Sequence, residues 1–191
     1  MFDILFAHIQ EKIELTNQEK ELIKTFFKQK KLRKRQYLLQ EGDICKQLSF
    51  VSRGVVKSYT LDEKGNEHIS VFGWEGWWIS DFQSFICGHE SILNIDAIEE
   101  TELLLISRGD YEKMMLRVPI MERYFRILYQ NSLVTKEQRL IYSHTYTAEE
   151  KYRQLIKEQP LIFERIPQNL IASYLGLTSE TISRIKKKLL L

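Results

Sequence analysis

Five glycines divide the middle of the chain almost evenly. Gly42, Gly54, Gly65, Gly76 and Gly88 are 12, 11, 11 and 12 residues apart. Glycine enters the left-handed backbone of tight turns at no steric cost. Between these turns lie short runs rich in β-branched and aromatic residues: Tyr37–Leu39, Leu48–Val51, Val55–Tyr59, His68–Phe72, Ile92–Ile98 and Glu102–Ile106. Asp62-Glu-Lys-Gly-Asn66 is a hairpin turn between two of them. Short strands with turn signals every eight to twelve residues specify an antiparallel barrel or jelly roll, whose interior can hold a small ligand.

The flanks are helical in pattern. Thr16 and Glu19 form a capping box, followed by Leu22, Ile23, Phe26 and Phe27 at helical spacing. The basic run Lys28 to Arg35 then reads as the solvated end of that helix. Ser107 to Arg117 is a short helix with Tyr111, Met114 and Met115 on its apolar face. Pro119 opens a longer helix that reaches about Tyr142 and carries two adjacent apolar seams. One seam is Met121, Phe125, Leu128, Ser132 and Thr135; the other includes Tyr124, Ile127, Asn131, Val134, Gln138 and Ile141. Two neighbouring seams mean burial on two sides, one against the chain's own barrel and one against a twin helix. The first is taken as the dimerisation seam. Ser143–Tyr146 is a polar hinge, and Thr147 with Glu150 is a second capping box. It starts a helix with Tyr152, Leu155 and Ile156 inward.

The last stretch, Ile166–Leu191, has the layout of a helix-turn-helix. Pro167 opens a helix, Ile171, Ala172 and Leu175 share a face, and Gly176 is placed for a left-handed cap. Thr178 caps a second helix in which Ile182 and Ile185 turn inward. Its outward residues are polar and cationic, as a helix in a DNA major groove requires. The expected DNA contacts are Ser179, Glu180, Thr181, Ser183, Arg184, Lys186, Lys187 and Lys188.

Composition narrows the classes. A net charge of +2 leaves local clustering as the only source of a nucleic-acid site. Cys45 and Cys87 are too few for a disulfide framework, a structural zinc site or an iron–sulfur cluster. His8, His68, His89 and His144 are scattered over different elements, so neither a metal nor a cofactor is expected. No phosphate loop, metalloprotease motif or serine triad is present, which argues against an enzyme. With no signal peptide and no apolar run of membrane-spanning length, a cytoplasmic location is expected.

Several motifs together resemble the Crp/Fnr family of bacterial transcription regulators. They are the glycine spacing, Leu39-Gln-Glu-Gly-Asp43, Ala97-Ile-Glu-Glu-Thr-Glu102 and Leu175-Gly-Leu-Thr-Ser-Glu-Thr-Ile-Ser-Arg184. The resemblance implies an α+β chain with an N-terminal antiparallel, jelly-roll-like β-roll of the cyclic-nucleotide-binding type. A long dimerisation helix and a C-terminal (winged) helix-turn-helix, its wing minimal or absent, follow. The corresponding boundaries are 1–116, 117–145 and 146–191, with any wing confined to Pro160–Ile166. The implied partners are double-stranded DNA, a second copy of the chain and, for an activator, RNA polymerase, with no membrane involved. In the family's reading pattern, Glu180 matches the glutamate that accepts from cytosine and Arg184 the arginine that donates to guanine, while Thr181 stands at a phosphate-contacting position. Ser179 replaces an arginine.

The resemblance also locates an effector site, whose candidates are Trp78, Ser80, Asp81, Phe82, Ser91 and Ile92. Relatives that bind cyclic AMP pair a glutamate with an arginine about ten residues later. Here Asp81 stands for the glutamate and Ser91-Ile92 fills the arginine slot. No arginine occurs between Arg53 and Arg108. A buried phosphodiester without a cation is costly, so cyclic AMP is not the expected effector, which stays unidentified. The competing reading is a ligand-binding or protein-interaction module whose terminal helices do not bind DNA. It predicts an outward face without base-reading groups.

Overall fold

Why the middle of the chain folds as strands is visible at its turns. Gly42, Gly54, Gly65, Gly76 and Gly88 all have positive φ. At Gly54 a side chain is also sterically excluded, because a Cβ would meet the Glu100 carbonyl oxygen at 2.6 Å. The computed structural model describes residues 1–160 and 162–189.

The chain opens with α1 (Phe2–Gln10) and α2 (Asn17–Lys24), the latter started by the Thr16–Glu19 capping box. The strands are β1 (Phe27–Leu32), β2 (Tyr37–Leu39), β3 (Gln47–Arg53), β4 (Val56–Leu61), β5 (Glu67–Gly73), β6 (Trp78–Ile79), β7 (Asn94–Ala97) and β8 (Thr101–Ser107). Helix α3 (Phe82–Cys87) interrupts them between β6 and β7. They form two four-stranded sheets, ordered β1-β8-β3-β6 and β2-β7-β4-β5. The registered pairs are antiparallel, with Lys30 opposite Leu103 and Lys57 opposite Asp96 among them. After β8 come α4 (Arg108–Arg117), α5 (Ile120–Thr145), α6 (Ala148–Glu158), α7 (Ile162–Arg165), α8 (Gln168–Leu175) and α9 (Ser179–Leu189). No helix among the described residues is long and apolar enough to cross a membrane.

Two compact units result. The first holds Met1–Thr60 with Val71–Gln130, and the second holds Leu61–Ser70 with the chain from Asn131 onward. These limits cut α5 and the β4–β5 hairpin, unlike the three-part division expected from sequence.

The first unit is built around apolar residues from both sheets. Ile95, Ala97 and Val56 belong to the same core as Val51, Ile79, Leu103 and Leu105. The opposite side of β3 and β6 carries Phe50 and Trp78, whose rings lie 5.4 Å apart. Trp78 also meets Phe27 and, from α5, Phe125 at 5.2 Å. The Tyr124 hydroxyl accepts from Trp78 Nε1 at 2.8 Å and lies 2.7 Å from His8 Nδ1. Burying side chains of this size stabilises by about 1.5–3 kcal/mol each, which fastens α1 and α5 to the roll.

Three expectations need correction, and one open point, the wing, is filled in. The run Lys28 to Leu32 is not a helix end but most of β1, an edge strand. Its exposed lysines are what keep an unpaired edge from recruiting another strand. The hinge expected at Ser143–Tyr146 is mostly helix, since α5 runs to Thr145 and the rings of Tyr142 and Tyr146 stack at 4.4 Å. The wing segment contains α7 rather than a strand, and Leu161 lies outside the described residues, as do Leu190 and Leu191. Met121 and Phe125 are buried in the first unit's core, at 0% and 2% exposure, so they are not free to pair with a second copy. Ser132 and Thr135 continue that face, exposed, and Leu128 is half-buried.

Candidate nucleic-acid interface and effector cassette

The C-terminal helices assemble as local chemistry dictates. Pro167 is the N-cap of α8, one position earlier than a first helical residue. Gly176 ends α8 in the left-handed region at φ +67°, and its N–H reaches the carbonyls of Ala172 and Ser173. Leu177 N–H returns to the Ala172 carbonyl at 2.8 Å. The Thr178 hydroxyl then accepts from Thr181 N–H at 3.2 Å and starts α9. Ala172, Ile182 and Ile185 pack with Tyr152 of α6, which floors the pair.

The opposite side of α9 is a polar stripe. Glu180, Ser183, Arg184, Lys187 and Lys188 are exposed at helical spacing, while Ser179, Thr181 and Lys186 are half-buried. The Glu180 carboxyl is held below its ordinary range, first by its own backbone N–H, then by the Thr178 hydroxyl, with Arg184 adding attraction. A carboxylate that stays ionised and a guanidinium one turn later give one acceptor and one forked donor on one face. These are the groups that meet a cytosine amino group and the O6/N7 edge of guanine.

Not all of the expected contacts are equally available. Lys186 Nζ donates to Gln168 Oε1 at 3.0 Å and lies 4.8 Å from the centre of the Phe163 ring. Lys188 Nζ meets Glu149 at 2.6 Å, and this pairing, followed by Arg153, draws the Glu149 carboxyl below its usual range. The Ser183 hydroxyl donates to the Ser179 carbonyl and accepts from Gln168 Nε2 at 2.9 Å. Gln168 therefore joins the start of α8 to three positions on α9. Sequence reasoning missed it, although it directly follows the proline that opens the helix.

The effector candidates do not converge on one pocket. Asp81 is the N-cap of α3: Oδ1 accepts from Ser84 N–H at 3.0 Å and Oδ2 accepts from the Ser91 hydroxyl at 2.7 Å. Asp81 and Ser91 are both buried, at 6% and 2% exposure. The two residues that the family resemblance sets against a glutamate and an arginine are here bonded to each other. Trp78 belongs to the aromatic cluster against α5. Phe82 lies on Tyr129 at 4.8 Å, and Ile92 is 67% exposed. Ser80 faces a different space, a cavity of about 310 Å³ bounded also by Leu39, Cys45, Gln47, Ser49 and Ile95. Cys87 is exposed at the end of α3, where Gly88 makes the left-handed cap.

Comparison with known proteins agrees with this geometry. Residues 29–118 match the model of the cyclic nucleotide-binding domain. The regulatory protein HlyX of Actinobacillus pleuropneumoniae is 25% identical over 175 residues, covering 83% of this chain and 70% of that protein. The fumarate and nitrate reduction regulatory protein of Vibrio cholerae is 25% identical over 171 residues, covering 83% and 67%. The chain is also similar to a solved structure described as a putative transcriptional regulator of the Crp/Fnr family from Eubacterium rectale, with a TM-score of 0.67 at 20% identity over 91% of this chain and 83% of that one. Its fold is that of FixK2 from Bradyrhizobium japonicum, with a TM-score of 0.73 at 23% identity over 85% of this chain and 84% of that one. Within the Crp/Fnr framework, α8 and α9 are the expected helix-turn-helix.

Proposed function

We propose that this chain is a homodimeric, sequence-specific DNA-binding transcription regulator rather than an enzyme, acting in the cytoplasm. The observation that carries the reading is the exposed Glu180–Arg184–Lys187 stripe on a helix held by α8 across a glycine-capped turn. Two such helices, about 34 Å apart, read successive major grooves of a roughly palindromic site. Arg184 and Glu180 supply base contacts; Lys187, with Thr181, supplies phosphate contacts. When the regulator activates, RNA polymerase is its further partner.

The second copy pairs through the far face of α5. Leu133, Val134, Leu140 and Ile141 are between 52% and 61% exposed and fall on one side of the helix. Exposed aliphatic residues in such a row mark a partner surface. That side is opposite the one containing Met121 and Phe125. Val134→Asp with Ile141→Asp is expected to halve the mass measured by light scattering. An unchanged mass rules out this interface.

The β-roll senses a small effector other than cyclic AMP or cyclic GMP. Ser91, which fills the arginine slot, is buried, carries no charge and donates its hydroxyl to Asp81, so a phosphodiester there would be desolvated without a cation to offset the cost. The space beside Ser80 and Ser49 is the favoured effector site. Calorimetry with both cyclic nucleotides tests the exclusion, and low-micromolar binding of either overturns it.

For DNA, the test is mobility shift of genomic fragments across a salt series. A regulator of this design loses affinity linearly on a log–log plot as salt rises. No shift at any salt concentration leaves the module reading in its place.

A further inference from the structure

The β4–β5 hairpin is bonded to the helix-turn-helix, and this changes which parts of the chain move together. The Ser173 hydroxyl on α8 donates to the Glu67 carbonyl and accepts from the Ile69 N–H at 3.1 Å. Both groups belong to β5, the last strand of its sheet, where main-chain donors and acceptors on one edge lack a neighbouring strand. One serine hydroxyl thus serves two edge groups. At the strand's next residue, Arg139 of α5 donates from Nη1 to the Ser70 carbonyl at 2.9 Å. The same guanidinium lies 4.3 Å from the centre of the Tyr174 ring. Cation–aromatic contacts of this kind are favourable, and Arg is the usual cation. The hairpin tip is stiffened by Asp62, whose carboxylate accepts from Lys64 N–H, Asn66 N–H and Asn66 Nδ2 within 2.9 Å.

All of these partners lie within the second compact unit. We propose that hairpin Leu61–Ser70 is a strap of the DNA-reading head. It travels with α8 and the distal half of α5 whenever the head is repositioned. The hairpin's two strands also continue into the effector roll, so they are a covalent route from the sensor to α8 that bypasses the α5–α6 junction. The strap stands on geometry alone. Only the trigger used to move the head rests on the proposed DNA binding.

The test uses the full chain with Cys87→Ser, Lys64→Cys and Asn169→Cys, spin-labelled and measured by electron–electron double resonance with and without a duplex that it binds. The hairpin-to-α8 distance is expected to stay constant on DNA binding. A change on the order of 5 Å, the scale of a one-turn shift, overturns the proposal. Hydrogen exchange supplies a readout that does not need DNA. Ser173→Ala should speed exchange of the Ile69 amide by about tenfold or more while leaving the Leu103 and Leu104 amides protected. Unchanged exchange at Ile69 shows that no strap exists. If no duplex binds, the DNA-binding function fails, and the exchange result alone decides the strap.

Discussion

The C-terminal helix pair and the α3 segment both depend on a capped helix start, yet they use acidic residues in opposite ways. On α9, Glu180 is exposed and ionised beside Arg184, ready for an outside partner. In the cassette, Asp81 is buried and its two oxygens are committed to Ser84 and Ser91. One carboxylate is an instrument and the other is a structural cap. Exposure and hydrogen-bond satisfaction make the difference, since both residues sit at or near a helix N-terminus where negative charge is favoured.

Substitutions can sharpen or break that contrast. The largest effect is expected at Ile182, fully buried between α8, α9 and α6. Ile182→Ala should cost about 2–5 kcal/mol in chemical denaturation by removing side-chain volume from a small core. A loss much below this range would show that the head relaxes around the cavity. Next comes Ser91→Ala, which leaves a buried Asp81 oxygen without its hydroxyl donor and should cost about 1–3 kcal/mol. Were Asp81 a solvated ligand group, the change would be close to neutral. Gly176→Ala follows. Space is open around a Cβ there, so the penalty is the left-handed backbone alone, about 1–2 kcal/mol.

The smallest effect is pH dependence at His8. Burial lowers its pKa below 6.5, and the Lys12 charge adds to this against a smaller opposing pull from Glu11. The unfolded chain therefore takes up the proton first as pH falls. Stability should decline from about pH 6.5 downward until the folded-state pKa is passed. His8→Gln should flatten that part of the denaturation–pH curve. An unchanged slope would assign the acid loss to other groups.

The same contrast explains what the sequence made legible. Thr16–Glu19, Thr147–Glu150, Gly176 and the five spaced glycines act through their immediate neighbours, and each is found in the predicted role. β1 was hidden because Phe27-Lys-Gln-Lys-Lys-Leu32 lacks alternation, its middle being polar on both faces of an edge strand. For Asp81 the family resemblance supplied a ligand role, whereas the structure shows it capping α3. The local signal for a helix start, Asp81 three residues before Ser84, was present. The α5 seams did not show that residues of both, Met121 and Phe125 of one and Tyr124 of the other, are buried against the chain's own roll. That depends on Trp78 and Phe50, far away in sequence. The hairpin strap depends on Ser173 meeting residues 104 and 106 positions earlier, beyond the reach of any short motif.

The central claim, that α9 reads DNA through an exposed carboxylate–guanidinium pair, is tested most directly by anisotropy titration of a duplex enriched from a random pool. Wild type and Arg184→Ala are compared across a salt series. The wild type should show a steep, linear log–log salt dependence and prefer the enriched duplex over a scrambled one. Arg184→Ala should lose about 1–3 kcal/mol of that preference while remaining folded. An affinity that does not change with salt, or a preference unaltered by Arg184→Ala, would contradict the claim.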